Sequence, residues 1–155
     1  MKSRGDTLSL AGPDGDIQIH RNEHGIPDIS GNSLNDLAYG LGYMHARDRQ
    51  LQILLSRILI QGRAAECLSG SGEMIELDTF MRRLNILPDP EDTIKKLKRH
   101  ARAQLESYAD GITHYFAHEK PGFEFRLLGY TPEPWPPAAT IMIGKVMGYL
   151  GLADG

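Results

Sequence analysis

From Leu37 onward, apolar residues fall at helical spacing: Leu37, Leu41, Met44, then Leu51, Leu55 and Ile58. Four residues after Met44 the same stripe carries Asp48, flanked by Arg47 and Arg49. Recurrence at three and four residues predicts a long helix from about 34 to 59, continuing or bending through QGRAAECL to 68. Ser33, with Asp36 three residues later, is a start signal of capping-box type, and SGSG at 69–72 is the stop. Upstream, TLSLAGPDGDIQIH reads as two short strands about a Pro-Asp-Gly turn, because Ile17 and Ile19 alternate with polar neighbours. HGIPDIS adds another extended piece, so strands occupy 7–30.

Downstream, 73–87 is moderately helical, and Pro90-Glu91-Asp92 opens a helix running to 118. Its stripe is Ile94, Leu97, Ala101, Leu105, Tyr108, Ile112 and Tyr115. Residues 121–137 are rich in proline and aromatics, which predicts a fixed irregular segment. A final apolar helix with small residues covers 138–152. Without repeats or low-complexity tracts, 1–155 reads as a single α+β domain, mostly helical, with short N-terminal strands.

Composition narrows the function. A net charge of −3 argues against nucleic acid, which needs a basic surplus, so KKLKRHAR at 95–102 reads as a solvated helix face. One cysteine, Cys67, rules out an intrachain disulfide and a thiolate metal cluster. No run of 18 apolar residues is present to span a membrane, and MKSRGDTLSL lacks the apolar core of a signal peptide.

Candidate chemistry is sparse. His114 and His118 have the i, i+4 spacing of two ligands, but HYFAH lacks the glutamate of a metalloprotease and no third ligand is near. His20 and His24 flank a strand end and read as turn residues. No GxSxG and no phosphate loop occur, and Cys67 reads as a small core residue. The chain therefore carries no recognisable nucleophile. Asp48 on an apolar stripe requires a partner, for which Arg57, Arg63, Arg82 and Arg83 are the candidates. The expectation is a structural network of Asp48, Arg47 and Arg82 tying the long helix to LDTFMRRL; the competing reading is a catalytic acid.

Six segments in fixed order carry a resemblance: HRNEHGIPDIS, YGLGYMHARDRQLQILLSR, GRAAE, DTFMRR, LESYADGI and FRLLGYTPEPW. Together, from about residue 17 to 150, the chain resembles penicillin acylases, N-terminal nucleophile hydrolases that include cephalosporin and acyl-homoserine-lactone acylases. The resemblance implies the α chain of a self-cleaved precursor, completing an αββα fold with a separate β chain. That β chain begins with the catalytic serine, whose own amine serves as base, so no catalytic residue is expected here. The substrate implied is a small amide, such as a β-lactam side chain or an N-acyl-homoserine lactone.

By the same resemblance the last helix lines the acyl pocket. The family's methionine matches Met147, its gating arginine falls on Leu150, and its aromatic falls on Gly151. Loss of the ring points to a larger or differently shaped apolar cavity, suited to a medium or long aliphatic acyl group unless Tyr149 rotates in. No cofactor or metal is expected from these residues. The family admits calcium between the chains, but the matching carboxylate position lies beyond Gly155, and Asp154 is out of register. Localisation implied is periplasmic or secreted. Independently, IMIGKVMGYLGL carries only Lys145 as a charge, which calls for a covering partner. A free-standing helical interaction module without catalytic activity is the alternative.

Overall fold

A Pro-Asp-Gly turn sets up the first hairpin. In the computed structural model, which describes residues 7–120 and 122–153, β1 (Thr7–Ala11), β2 (Asp16–Arg21) and β3 (Pro27–Ser30) form an antiparallel sheet in the order β1-β2-β3. The register pairs Leu10 with Ile17 and Ile19 with both Leu8 and Ile29. Ile17 and Ile19 are buried while Asp16, Gln18 and His20 face solvent, as the alternation requires. Burying each isoleucine contributes about 1.5–3 kcal/mol.

Helix α1 (Leu34–Ile60) starts with the expected capping box. Ser33 Oγ accepts the Asp36 N–H at 3.1 Å, and the Asp36 carboxylate accepts the Ser33 N–H at 3.2 Å. The structure adds more to Asp36 than a cap. Its carboxylate also takes the N–H groups of Asn32 (3.0 Å) and Asp14 (2.9 Å), so one fully buried side chain joins the β1–β2 turn to the helix start. Gly12 and Gly31 border it, and a Cβ on either would come within 2.6 Å of the Asp36 side chain.

The long helix is not straight. Arg49 leaves helical geometry (φ −135°, ψ 27°), so α1 is two helical pieces joined at a kink. The helix ends at Ile60, not at about 68: Gly62 adopts a left-handed conformation (φ 62°), and a short α2 (Ala64–Cys67) follows. Helix α3 (Gly72–Leu84) stops where Asn85 turns left-handed (φ 44°).

The helix expected over 90–118 is also two, α4 (Pro90–Lys95) and α5 (Arg99–His118), separated by the extended Lys98. The segment 121–137 holds one further turn, α6 (Phe123–Leu128), before α7 (Pro137–Ala153).

The core sits where α1 crosses α5. Two glycines make the approach backbone-close: a Cβ on Gly42 would lie 2.1 Å from the Tyr108 carbonyl oxygen, and one on Gly111 would lie 2.0 Å from that of Tyr39. Around them Tyr43, Met44, Ala46, Ala109, Ile112 and Tyr115 are buried, with Tyr43 edge-on to Tyr115 at 5.3 Å. This differs from the expected stripe. Leu41 is 42% exposed, because helices in such close contact bury their small residues, and the kink at Arg49 changes the phase beyond it.

Candidate functional site

Helix α7 is set on the body by what precedes it. In TPEPWPP, four prolines remove backbone donors, so this stretch cannot build its own ladder and depends on neighbouring side chains. Arg57, near the end of α1 and only 6% exposed, donates to the carbonyls of Glu133 (3.3 Å) and Pro134 (2.9 Å) and to the Glu133 carboxylate (2.9 Å). Arg63 grips the same carboxylate with two bonds of 3.0 Å each, and also pairs with Glu66. Arg63 holds the Glu133 carboxyl below the usual glutamate range.

Trp135 is buried. Its backbone N–H donates to Thr113 Oγ1 of α5 (2.9 Å), and its indole N–H to Thr140 Oγ1 of α7 (3.0 Å). The Arg57 guanidinium lies 5.8 Å from the Trp135 ring centroid, within cation–π range.

Beyond its first turns α7 exposes one face, and Lys145 Nζ donates to the Ile86 carbonyl (3.4 Å). Ala139 is buried and Ile143 packs on the core, whereas Gly144, Met147, Gly148, Tyr149 and Gly151 are exposed. Met147 is 65% exposed, and open space surrounds Gly144, Gly148 and Gly151. Met147 and Gly151 lie one turn apart on this helix, with Leu150 between them. The side chains of Arg126, Leu150, Leu152 and Ala153 lie outside the described residues, as do residues 1–6, Pro121, Asp154 and Gly155.

Asp48 pairs with none of the four arginines expected for it. It forms an ion pair with Arg21 of β2, beside the kink of α1, and its side chain is 35% exposed. Arg82 holds a different joint, donating from Nε to the Gly62 carbonyl (2.9 Å) and so fastening α3 to the turn after α1. Arg47 lies near Tyr43 and Tyr115. Burial and Glu119 push the Tyr43 hydroxyl up to about 12, with the Arg47 charge opposing them.

The buried carboxylate of α3 is Asp78. It caps α2 by accepting the N–H groups of Ala64 and Ala65, both at 2.8 Å. Its sequence signal was faint, since its acceptor role depends on a turn made 14 residues earlier. Glu133 and Trp135 were legible only as parts of a motif.

The two histidines at helical spacing lie edge to face, with ring centroids 4.5 Å apart. His114 Nδ1 hydrogen-bonds the Tyr39 hydroxyl, and His118 Nδ1 donates to the His114 carbonyl (3.0 Å). Among the described residues no group of three or more His, Cys, Asp or Glu side chains is placed to hold a metal ion. Burial raises the Cys67 thiol, which disfavours the thiolate a nucleophile needs. No helix among the described residues is long and apolar enough to cross a membrane.

An N-terminal sheet, a kinked helix crossed by a second, and a last helix with an exposed outer face behind a proline-rich motif define one class. Residues 16–154 match the penicillin amidase family model, and the chain belongs to that family. The acyl-homoserine lactone acylase QuiP of Pseudomonas fluorescens (strain Pf0-1) is 36% identical over 136 residues, covering 86% of this chain and 16% of that protein. The penicillin acylase 2 proenzyme of Pseudomonas sp. (strain SE83) is 34% identical over 145 residues, covering 93% and 18%. Among solved structures, thermostable penicillin G acylase from Alcaligenes faecalis superposes with a TM-score of 0.76 at 24% identity, covering 88% of this chain and 70% of that one. The chain thus spans about a sixth of the length of the curated relatives it matches.

Proposed function

We propose that this chain is the α subunit, a single domain, of a heterodimeric acylase that cleaves the acyl group from a small amide. Candidate substrates are a β-lactam side chain and an N-acyl-homoserine lactone, the activities named for its relatives. The attacking serine begins the partner β chain, and its own α-amine takes the proton as the hydroxyl adds to the amide carbonyl. This chain supplies the acyl wall: Met147, Leu150 and Gly151 contact the acyl group. No cofactor takes part, and the assembled enzyme works in the periplasm or outside the cell.

The observation that carries the reading is α7 itself, an apolar helix whose outer face, Met147 included, is exposed beyond its first turns. The family relation, which runs through residue 154, supports this reading. The coverage figures support a separate short chain: the same segment is about a sixth of the curated relatives but 70% of the solved chain.

Co-purification followed by N-terminal sequencing tests the assembly. The expected result is a tightly held, much longer chain beginning with Ser; a folded monomer at high concentration refutes it and leaves an interaction module. Acyl-length profiles test the wall. Met147→Ala is expected to change acyl preference more than melting temperature, and an unchanged profile with a lowered melting temperature refutes that role.

A further inference from the structure

Resting on the reading of α7 as the acyl wall, we infer that Arg57 and Glu133 are positioning residues that set acyl-chain preference without touching substrate. Helix α7 packs on the core at Ala139 and Ile143, and farther out Lys145 Nζ donates to the Ile86 carbonyl (3.4 Å), while open space surrounds Gly144, Gly148 and Gly151. With few ties along its outer half, its direction depends in large part on the residues just before Pro137. Those residues cannot hold themselves, because prolines at 132, 134, 136 and 137 donate no backbone hydrogen bond.

The clamp does it for them. Arg57 binds the carbonyls of Glu133 and Pro134 and the Glu133 carboxylate, and Arg63 closes on that carboxylate from the other side. From there the linkage is continuous. The Arg57 guanidinium faces Trp135, and the Trp135 indole N–H bonds Thr140 in the first turn of α7.

Arg57 is held for its geometry. It lies buried while its Nε finds no acceptor among the described residues, an arrangement that costs stability and that an apolar side chain would avoid. The lever arm gives the size of the effect. Met147 lies ten residues beyond Pro137, so at 1.5 Å per residue a tilt of about 5° at the base moves it by roughly 1.3 Å. A displacement of that order loosens the fit of an acyl chain without moving the reacting groups, so the loss falls on KM.

The test uses the whole assembled enzyme, with kcat and KM measured over a homologous series of acyl amides. Glu133→Gln, at a half-exposed carboxylate, and Arg57→Lys are expected to raise KM for the preferred acyl length by about tenfold. They should flatten the preference along the series and leave kcat within about twofold, while Glu133→Asp recovers part of the selectivity. Should Arg57→Lys not accumulate, Arg63→Lys acts on the same carboxylate and carries the same expectation.

Met147→Ala is the reference variant. If its profile shifts and those of the clamp variants overlay wild type, the clamp is overturned and the acyl wall stands. Losses equal at every acyl length, in step with a lowered melting temperature, overturn it too and leave a stabilising role only. If Met147→Ala is also indifferent to acyl length, α7 is not the wall and both inferences fall together.

Discussion

Replacing Gly111 or Gly42 by alanine tests the crossing on which the core is built. On propensity alone either change is favourable, since alanine is better than glycine inside a helix by up to about 1 kcal/mol. The geometry says otherwise. The added methyl at 111 would sit 2.0 Å from the Tyr39 carbonyl oxygen and 2.9 Å from the Tyr43 nitrogen, and at 42 it would sit 2.1 Å from the Tyr108 carbonyl oxygen. These obstacles are backbone atoms of the facing helix, so no side chain can swing aside and α1 and α5 must separate by about 1 Å.

A gap of that width forfeits roughly a quarter to a half of each dispersion contact across the seam, which includes Tyr43, Ile112 and Tyr115. Overpacking typically costs about 1–3 kcal/mol, and backbone obstruction puts these sites at the upper end. After the gain in propensity, a net loss of about 2 kcal/mol remains, a fall of up to about thirtyfold in the folded-to-unfolded ratio. Denaturant midpoints of the purified protein would measure it, with the slope checked for constancy. The double variant should lose less than the sum of the singles, because one separation relieves both clashes. A midpoint at or above wild type for Gly111→Ala would refute the backbone contact between the helices.

Asp36→Asn keeps the shape but turns an amide N–H₂ toward backbone donors. It should cost about 1.5–3 kcal/mol, the range for hydrogen bonds to a charged group, and a urea titration would read it. Burial and the neighbouring His118 hold His114 below the usual imidazole value of 6.5, with Tyr39, Tyr43 and Glu119 also facing it. Its neutral form is therefore favoured in the folded chain. The stability it contributes is complete above 6.5 and is lost as pH falls from there through the folded value. Melting curves should decline more steeply from about pH 7 to about pH 5 in wild type than in His114→Gln, and parallel curves would remove the group from the balance. Asp48→Asn should leave turnover unchanged and lower the yield or melting temperature of the assembled protein; a large fall in turnover at normal stability would restore Asp48 as a catalytic acid.

Much of the fold was legible because it rests on local rules. Alternation of Ile17 and Ile19 with polar neighbours marks a strand in any context, and Ser33 with Asp36 completes its capping box within four residues. The apolar run with Met147 reads as a final helix for the same reason. An ordered set of short motifs also sufficed to place the chain in its family.

What local rules could not supply was partnership across the chain. Asp48 was assigned to a buried stripe with Arg57, Arg63, Arg82 and Arg83 as candidate partners, yet it meets Arg21, 27 residues earlier in sequence. The kink at Arg49 and the glycine contact between α1 and α5 decide which face is buried, and neither is a property of one segment. Arg57 and Glu133 stand 76 residues apart, and no periodicity links an arginine near a helix end to a proline-bound glutamate. Sequence determined the three strands, the start of the long helix and the presence of the last one, since these follow from a few neighbouring side chains. Tertiary structure alone decided where charges pair, how closely helices approach and what anchors the segment before the last helix, because those depend on which distant atoms share a volume.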